Sequence, residues 1–245
     1  MNQETEIRRL KLELQAANQA LESFTDSVSH DLRAPLRHIL GYVEILQMTA
    51  ADQLNEASRG HLQTITQSAA QLGRMFEALV KYSRLSRAEL RFAPVDLAEL
   101  VKNVRRELRD QSKGREIEWQ IGDLPTVQGD PDLLRQVIVN LLSNAVKFTR
   151  TRAKAKIEIG ANRDGHETIC FVHDNGVGFD QNYAGKLFGL YQRFHAANEF
   201  EGIGFGLANV RNIVTRHGGR TWAAGNLNRG ATFYFSIPNP PAGPT

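Results

Sequence analysis

Asn140-Leu141-Leu142-Ser143-Asn144-Ala145-Val146-Lys147-Phe148 is the stretch on which the fold of this chain turns. Val137, Ile138, Leu141, Leu142 and Val146 recur at helical spacing and define an apolar face. Asn140 and Asn144 then share the other side, one turn apart. Asparagine is a poor helix-interior residue, so two at this spacing point to a polar task. Two tasks fit. Amide oxygens suit a magnesium ion that keeps some waters and shares phosphate oxygens, with Lys147 in reach of the same phosphates. The alternative is that the amides cap neighbouring loops.

The surrounding pieces alternate between helix and strand. Helical periodicity predicts segments at 96–111, 131–149 and 205–217, and strand-like runs occupy 117–121, 156–161, 168–173, 221–224 and 231–237. An irregular glycine-rich region fills 175–204. The alternation predicts an α/β sandwich, a mixed sheet with helices on one face. Asp174 ends one strand and is followed by Asn175-Gly176-Val177-Gly178. A carboxylate there can accept a hydrogen bond from an exocyclic amine such as that of adenine, and the glycines allow close backbone approach and positive φ. Gly202-Ile203-Gly204-Phe205-Gly206-Leu207 runs into a helix start, where orphan N–H groups and the dipole favour phosphate. Neither glycine set has the spacing of a dinucleotide fingerprint or the Gly-Lys-Ser/Thr ending of a P-loop.

Upstream the pattern changes. Ile7, Leu10, Leu14, Ala17, Leu21, Phe24 and Val28 recur at steps of three and four, a coiled-coil seam that continues through Leu32, Leu36, Ile39, Val43 and Leu46. Pro35 lies inside this helix and is expected to kink it locally. After a polar break at 51–58, a second helix carries Leu62, Ile65, Ala69, Leu72, Phe76 and Leu79. Such a hairpin has one sticky seam, which two copies bury as a four-helix bundle. A homodimer is the economical expectation, and packing of the hairpin on its own chain is the alternative. The expected organisation is a coiled-coil signalling helix at 1–22, a hairpin domain at 23–90, the α/β domain at 91–238 and a flexible tail at 239–245.

Ser29-His30-Asp31-Leu32-Arg33-Ala34-Pro35-Leu36 lies on the first helix, with His30 off the apolar stripe. A neutral imidazole nitrogen is a good nucleophile near neutral pH. Asp31 is placed to hold the opposite ring N–H or to take the proton. A solvated His-Asp pair is the bland alternative. His38, His61, His166, His173, His195 and His217 lack metal-ligand spacing and take that bland reading.

With 41% hydrophobic and 23% charged residues, the 245-residue chain has the composition of a globular protein rather than a disordered one. The net charge of +3 is small, and basic residues interleave with acidic ones, as in Arg105-Arg106-Glu107-Leu108-Arg109-Asp110. No basic groove for nucleic acid is expected. No run approaches the ~20 apolar residues of a membrane span, and no signal-peptide pattern begins at Met1. Cys170, the one cysteine, forms no internal disulfide and is read as a small buried hydrophobe. A cytoplasmic setting is expected.

Taken in order, these signatures resemble the sensor histidine kinases of two-component signalling, over nearly everything from Ile7 to Pro238. The first segment is similar to the family's dimerisation and histidine-phosphotransfer domain, closest to the phytochrome-type and PAS-linked variant. The second resembles the catalytic ATP-binding domain with the Bergerat-type GHKL fold. The resemblance implies that His30 accepts the phosphoryl group of ATP with help from Asp31. It implies Asn144 as ligand of Mg2+, Asn140 and Lys147 at the phosphates, and Asp174 at the adenine amine. Gly176, Gly178, Gly202, Gly204, Gly206 and Leu207 would shape the nucleotide pocket and its lid. In Leu187-Phe188-Gly189-Leu190-Tyr191-Gln192-Arg193-Phe194, Phe188 and Phe194 are similar to the family's aromatic lid box. Arg193 would neutralise γ-phosphate charge during transfer. Read from the residues alone, those aromatics serve equally well as core.

The resemblance further implies relay of the phosphoryl group to an aspartate on a response-regulator receiver domain. Input would reach the coiled coil from an upstream sensory module or partner by rotation or sliding. Two positions depart from the family pattern. Ala34 stands where kinases with strong phosphatase activity carry Thr or Asn, which argues against dephosphorylation by that route. Ile203 replaces a frequent hydroxyl residue but leaves the backbone donors intact. Two rivals remain at this level: a GHKL ATPase that drives a conformational clamp, and a dimeric scaffold that binds nucleotide without catalysis. The clamp relatives place a carboxylate where Asn140 stands.

Overall fold

The computed structural model describes residues 3–50, 52–192 and 200–239, with some side chains of the first helix and that of Gln111 excepted. The chain divides into two compact units between Arg87 and Ala88.

In the first unit, α1 (Gln3–Thr49) and α2 (Glu56–Leu85) form the helical hairpin. α1 runs on through Pro35, because a proline removes one intrahelical bond while the rest of the ladder persists. Asn55 starts α2 by accepting the Ser58 amide at 2.8 Å. Val43 and Ala69 are buried, whereas Ile39, Leu46, Ile65 and Leu72 are exposed, so one hairpin leaves part of its apolar stripe uncovered. The side chains of Leu14, Ala17, Leu21 and Phe24 lie outside the described part of the seam.

The second unit is built on a five-stranded mixed sheet. Its strands are β2 (Glu116–Ile121), β4 (Lys154–Asp164), β5 (Glu167–Asp174), β6 (Thr221–Asn226) and β7 (Gly230–Pro238), in the order β2-β4-β5-β7-β6. β2 and β4 are parallel and the other pairs antiparallel. Period-two alternation sends Thr168, Cys170, Val172 and Asp174 of β5, with Phe233, Phe235 and Ile237 of β7, to one buried face. There α4 (Pro131–Phe148) packs on β4 and β5, α5 (Gly206–Arg216) packs on β6 and β7, and α3 (Leu97–Glu107) packs on α4. Cys170 is a buried core residue as expected, its thiol pushed up to about 12 by burial.

Some local features depart from the sequence reading. β1 (Ala93–Asp96) and β3 (Thr126–Gly129) form a separate two-stranded antiparallel sheet that short length and Pro94 conceal in the sequence. Asp96 caps α3 rather than entering it, accepting the amides of Ala98 and Glu99 at 2.9 and 3.0 Å. The glycine-rich region holds a short 3₁₀ segment, Gln181–Lys186. Asn239 is tied down through the His166 carbonyl at 2.7 Å and the Thr168 hydroxyl at 2.7 Å, while residues 240–245 lie outside the described part.

Candidate functional site

The start of α4 is fixed by Asp130, whose carboxylate accepts the amides of Asp132 and Leu133 at 3.1 Å each and that of Arg91 at 3.0 Å. Pro131 follows as the first helical residue, where its missing N–H costs nothing. Leu134, Val137, Ile138, Leu141, Leu142 and Ala145 are buried, which sets the rotation of the helix. That rotation brings Asn144 and Lys147 to the wall of a cavity of about 270 Å³ in the second unit.

Asp174 forms another part of this wall. Its carboxylate is 1% exposed, and Oδ1 accepts the Gly176 amide at 2.9 Å. Burial pushes it up to about 6, against the opposing pull of the Gly176 and Ala231 amides and the Arg152 charge. A Cβ at Gly176 would lie 2.5 Å from the Phe148 carbonyl oxygen and 2.7 Å from Asp174 Oδ1, so only glycine fits there. Gly178 has φ of +63° and is pressed against the Asn226 carbonyl.

The remaining wall is the glycine segment before α5. Gly202 and Gly204 hold φ of +143° and +83°. α5 begins at Gly206 with Phe205 as N-cap and no side-chain cap, whereas α2, α3 and α4 are capped by Asn55, Asp96 and Asp130. Gly206 and Leu207 line the cavity, so the helix start presents backbone donors and a positive dipole end to it. Phe200 packs against Phe148 with ring centroids 5.0 Å apart, and Lys147 Nζ sits 4.2 Å from the Phe148 centroid. The cavity thus joins a buried acceptor, a carboxamide, an ammonium group and an uncapped helix end. Such a set can grip a molecule with an amine-bearing base and phosphates.

Asn144, Lys147, Asp174, Gly178, Gly202, Gly204, Gly206 and Leu207 therefore share one cavity. Asn140, Gly176 and Phe188 stand behind its lining. Asn140 Oδ1 is 3.3 Å from where a Gly206 Cβ would sit, and its buried Nδ2 has no hydrogen-bond partner among the described residues. Phe188 is buried edge-on against Phe233, with centroids 6.4 Å apart, which is the core reading of that aromatic. Arg193 and Phe194 lie outside the described residues. His30 and Asp31 belong to α1 of the other unit; Asp31 is exposed, and the His30 side chain is outside the described part.

Two residues of structural weight escaped the sequence reading. Arg152 donates to three backbone carbonyls, those of Asn175, Gly176 and Asn228, at 2.7–2.9 Å. No spacing rule singles out an arginine in a helix-to-strand turn. His217 is a buried histidine rather than a solvated one, accepting the Asp130 amide at Nε2 across 3.0 Å. Among the described residues no cluster of three His, Cys, Asp or Glu side chains forms a metal centre, and no helix is long and apolar enough to cross a membrane.

Residues 20–88 match the family model of the His Kinase A (phospho-acceptor) domain. Residues 129–241 match that of the histidine kinase-, DNA gyrase B-, and HSP90-like ATPases. The chain is 31% identical over 238 residues to cyanobacterial phytochrome A of Nostoc sp., covering 97% of this chain and 31% of that protein. It is 32% identical over 229 residues to the adaptive-response sensory kinase SasA of Synechococcus elongatus, covering 89% of this chain and 59% of that one. Among solved structures it is similar to full-length ShkA in complex with AMPPNP, with a TM-score of 0.61, 29% identity, and coverage of 90% of this chain and 47% of that chain. The chain spans less than two thirds of each of these relatives.

Proposed function

The chain belongs to the histidine kinases, joining a phospho-acceptor hairpin to a lobe of the gyrase B- and HSP90-like ATPase fold, and on that premise we propose that it autophosphorylates on His30 from ATP. The observation that carries this reading is the single cavity in which buried Asp174, Asn144, Lys147 and the uncapped start of α5 converge. Asp174 accepts the exocyclic N–H of adenine. The backbone of Gly202, Gly204, Gly206 and Leu207, with Lys147, takes the phosphates. Gly176 and Gly178 shape the turn beneath the base. The likeness to a structure holding AMPPNP supports the same ligand class.

A magnesium ion fits this donor set. Gly206 carries no side chain between the helix start and the two carboxamides, where a Cβ would lie 3.3 Å from Asn140 Oδ1 and 3.9 Å from Asn144 Nδ2. Asn144 would hold the ion together with phosphate oxygens, with Asn140 behind it. When bound, magnesium supplies positive charge that neutralises the terminal phosphate.

In the transfer step a His30 ring nitrogen attacks the γ-phosphorus, an N–P bond forms, and the bond to the β–γ bridging oxygen breaks to release ADP. Asp31 stabilises or receives the ring proton. Arg193, with Phe188 and Phe194 as lid aromatics, serves charge neutralisation and closure in this reading. The phosphoryl group then passes to an aspartate of a response-regulator receiver domain, restoring the neutral imidazole. Ala34 supplies no hydroxyl or amide to position water, so phosphatase activity is not part of the proposal.

The uncovered stripe of Ile39, Leu46, Ile65 and Leu72 supports a homodimer through the hairpin. Residues 1–22 serve as a signalling helix that receives input from a sensory module or partner, 23–90 as the phosphotransfer domain, and 91–238 as the catalytic domain. A cytoplasmic location suits an ATP-consuming relay.

The test is incubation with γ-labelled ATP and magnesium, comparing the parent with His30→Gln and Asn144→Asp. Acid-labile label retained on the parent and lost from both variants is expected. Label that persists in His30→Gln overturns the site, and ATP hydrolysis with no protein-bound label overturns the reaction.

A further inference from the structure

Arg152 lies in the turn between α4 and β4, its amide bonded to the Thr149 carbonyl at 2.9 Å. Its guanidinium spends its donors on backbone carbonyls. Nε donates to the Asn175 carbonyl at 2.8 Å, and Nη2 donates to the carbonyls of Gly176 at 2.9 Å and Asn228 at 2.7 Å. Two loops are joined this way: the one that follows Asp174, and the turn between β6 and β7. The second contact is reinforced by the Asn228 amide, which donates to the Val177 carbonyl at 2.6 Å from a residue held at φ of +61°.

The same loop sets the direction of Asp174. Oδ1 of that carboxylate accepts the Gly176 amide at 2.9 Å, and the Ala231 amide acts on it from β7, so Gly176 sets one of the two backbone restraints on its direction. Arg152 holds the carbonyl on the far side of Gly176 and that of the residue before it. Asn175 has its own anchors to β4: Oδ1 accepts the Lys156 amide at 2.8 Å, and Nδ2 donates to the Lys154 carbonyl at 3.1 Å. Without Arg152 the loop keeps these anchors and the bond from the Val177 amide to the Phe148 carbonyl at 3.2 Å, but loses the ties on the two carbonyls that flank the Gly176 amide.

We infer that Arg152 is a positioning residue for base selection, acting through Gly176 to aim Asp174 at a 6-amino purine. The inference rests on the reading of the cavity as a nucleotide site. An aimed carboxylate accepts from the exocyclic amine of adenine and repels the 6-oxo group of hypoxanthine or guanine. Arginine is required because one planar fork spans three carbonyls, whereas the ammonium of lysine is a single point donor.

The experiment measures binding of ATP and of inosine triphosphate, each with magnesium, by calorimetry on the full chain. The parent, Arg152→Ala and Arg152→Lys are compared. The parent is expected to prefer ATP. In both variants ATP affinity should fall about tenfold, the scale of one charged hydrogen bond, while inosine triphosphate affinity changes by about twofold or less. The preference then collapses. Equal weakening of both nucleotides, or a preference that survives in both variants, overturns the inference and leaves the ATP reading standing. Should Arg152→Ala fail to fold by circular dichroism, Arg152→Lys decides, since it keeps charge and stem. Loss of folding in both makes Arg152 purely structural and overturns the inference. A parent that binds neither nucleotide overturns the ATP reading itself.

Discussion

The backbone amide of Asp130 donates to Nε2 of His217 across 3.0 Å, although the two residues are 87 positions apart. Nδ1 of the same ring lies 2.8 Å from the Ile213 carbonyl, so both ring nitrogens are used. This ring ties the start of α4 to the end of α5, the two helices that wall the cavity. His217→Ala leaves a buried amide unsatisfied and opens a void. It should destabilise the second unit by about 2–4 kcal/mol in urea unfolding. A loss below about 0.5 kcal/mol, the range of a neutral surface change, would show that the tie is ornamental.

Asp174 gives two pH responses of opposite sign. Burial raises its carboxyl from an ordinary value of 3.8 to about 6. Among the described residues, the charged groups around it are Arg152 behind the loop and Lys147 and Glu201 on the cavity wall. Between those values the folded form binds a proton that the unfolded chain does not. Its contribution to the stability of the ligand-free protein is therefore present at acid pH and lost as pH rises through about 6. In the proposed site ATP binds the ionised form, so its affinity should weaken as pH drops through the same window. Asp174→Asn removes both slopes. Titrations of binding and of unfolding between about pH 3.5 and pH 7.5, on the scale of about 1.4 kcal/mol per tenfold, check the pair.

Gly176→Ala is a sharper probe of the same corner. Its added Cβ would lie 2.5 Å from the Phe148 carbonyl oxygen and 2.7 Å from Asp174 Oδ1, so backbone must move. The expected cost is about 1–3 kcal/mol of stability with at least a tenfold loss of ATP affinity. Wild-type affinity in this variant would mean that Asp174 does not read the base.

The hairpin stripe predicts an oligomer. Ile65 and Leu72, both exposed in one chain, lie on the uncovered side of α2. Replacing both with Glu should weaken the homodimer by about 2 kcal/mol or more per site. Sedimentation should then show monomer at concentrations where the parent is dimeric. A dimer that persists places the interface elsewhere.

The sequence made the helices and the central strands legible because each has a clean period. α4 was visible from Val137, Ile138, Leu141, Leu142 and Val146, and the structure buries all five. Asn144, Lys147 and Asp174 were visible for a related reason, being polar residues placed against that period. Arg152 was not, since its partners are backbone carbonyls, which carry no side-chain signature. His217 was hidden too, because burial of one histidine depends on Asp130 and Phe92 arriving from far along the chain. The β1–β3 ribbon is set by pairing across residues 93–129 rather than by local pattern.

Cys170 sits on β5, the middle strand of the five, with its sulfur shut away from water and held protonated. Thiol reagents attack only an exposed thiolate. The rate at which a disulfide reagent labels the intact protein therefore clocks how often the centre of the sheet opens. The second unit thus carries a single built-in stopwatch, readable without introducing another cysteine.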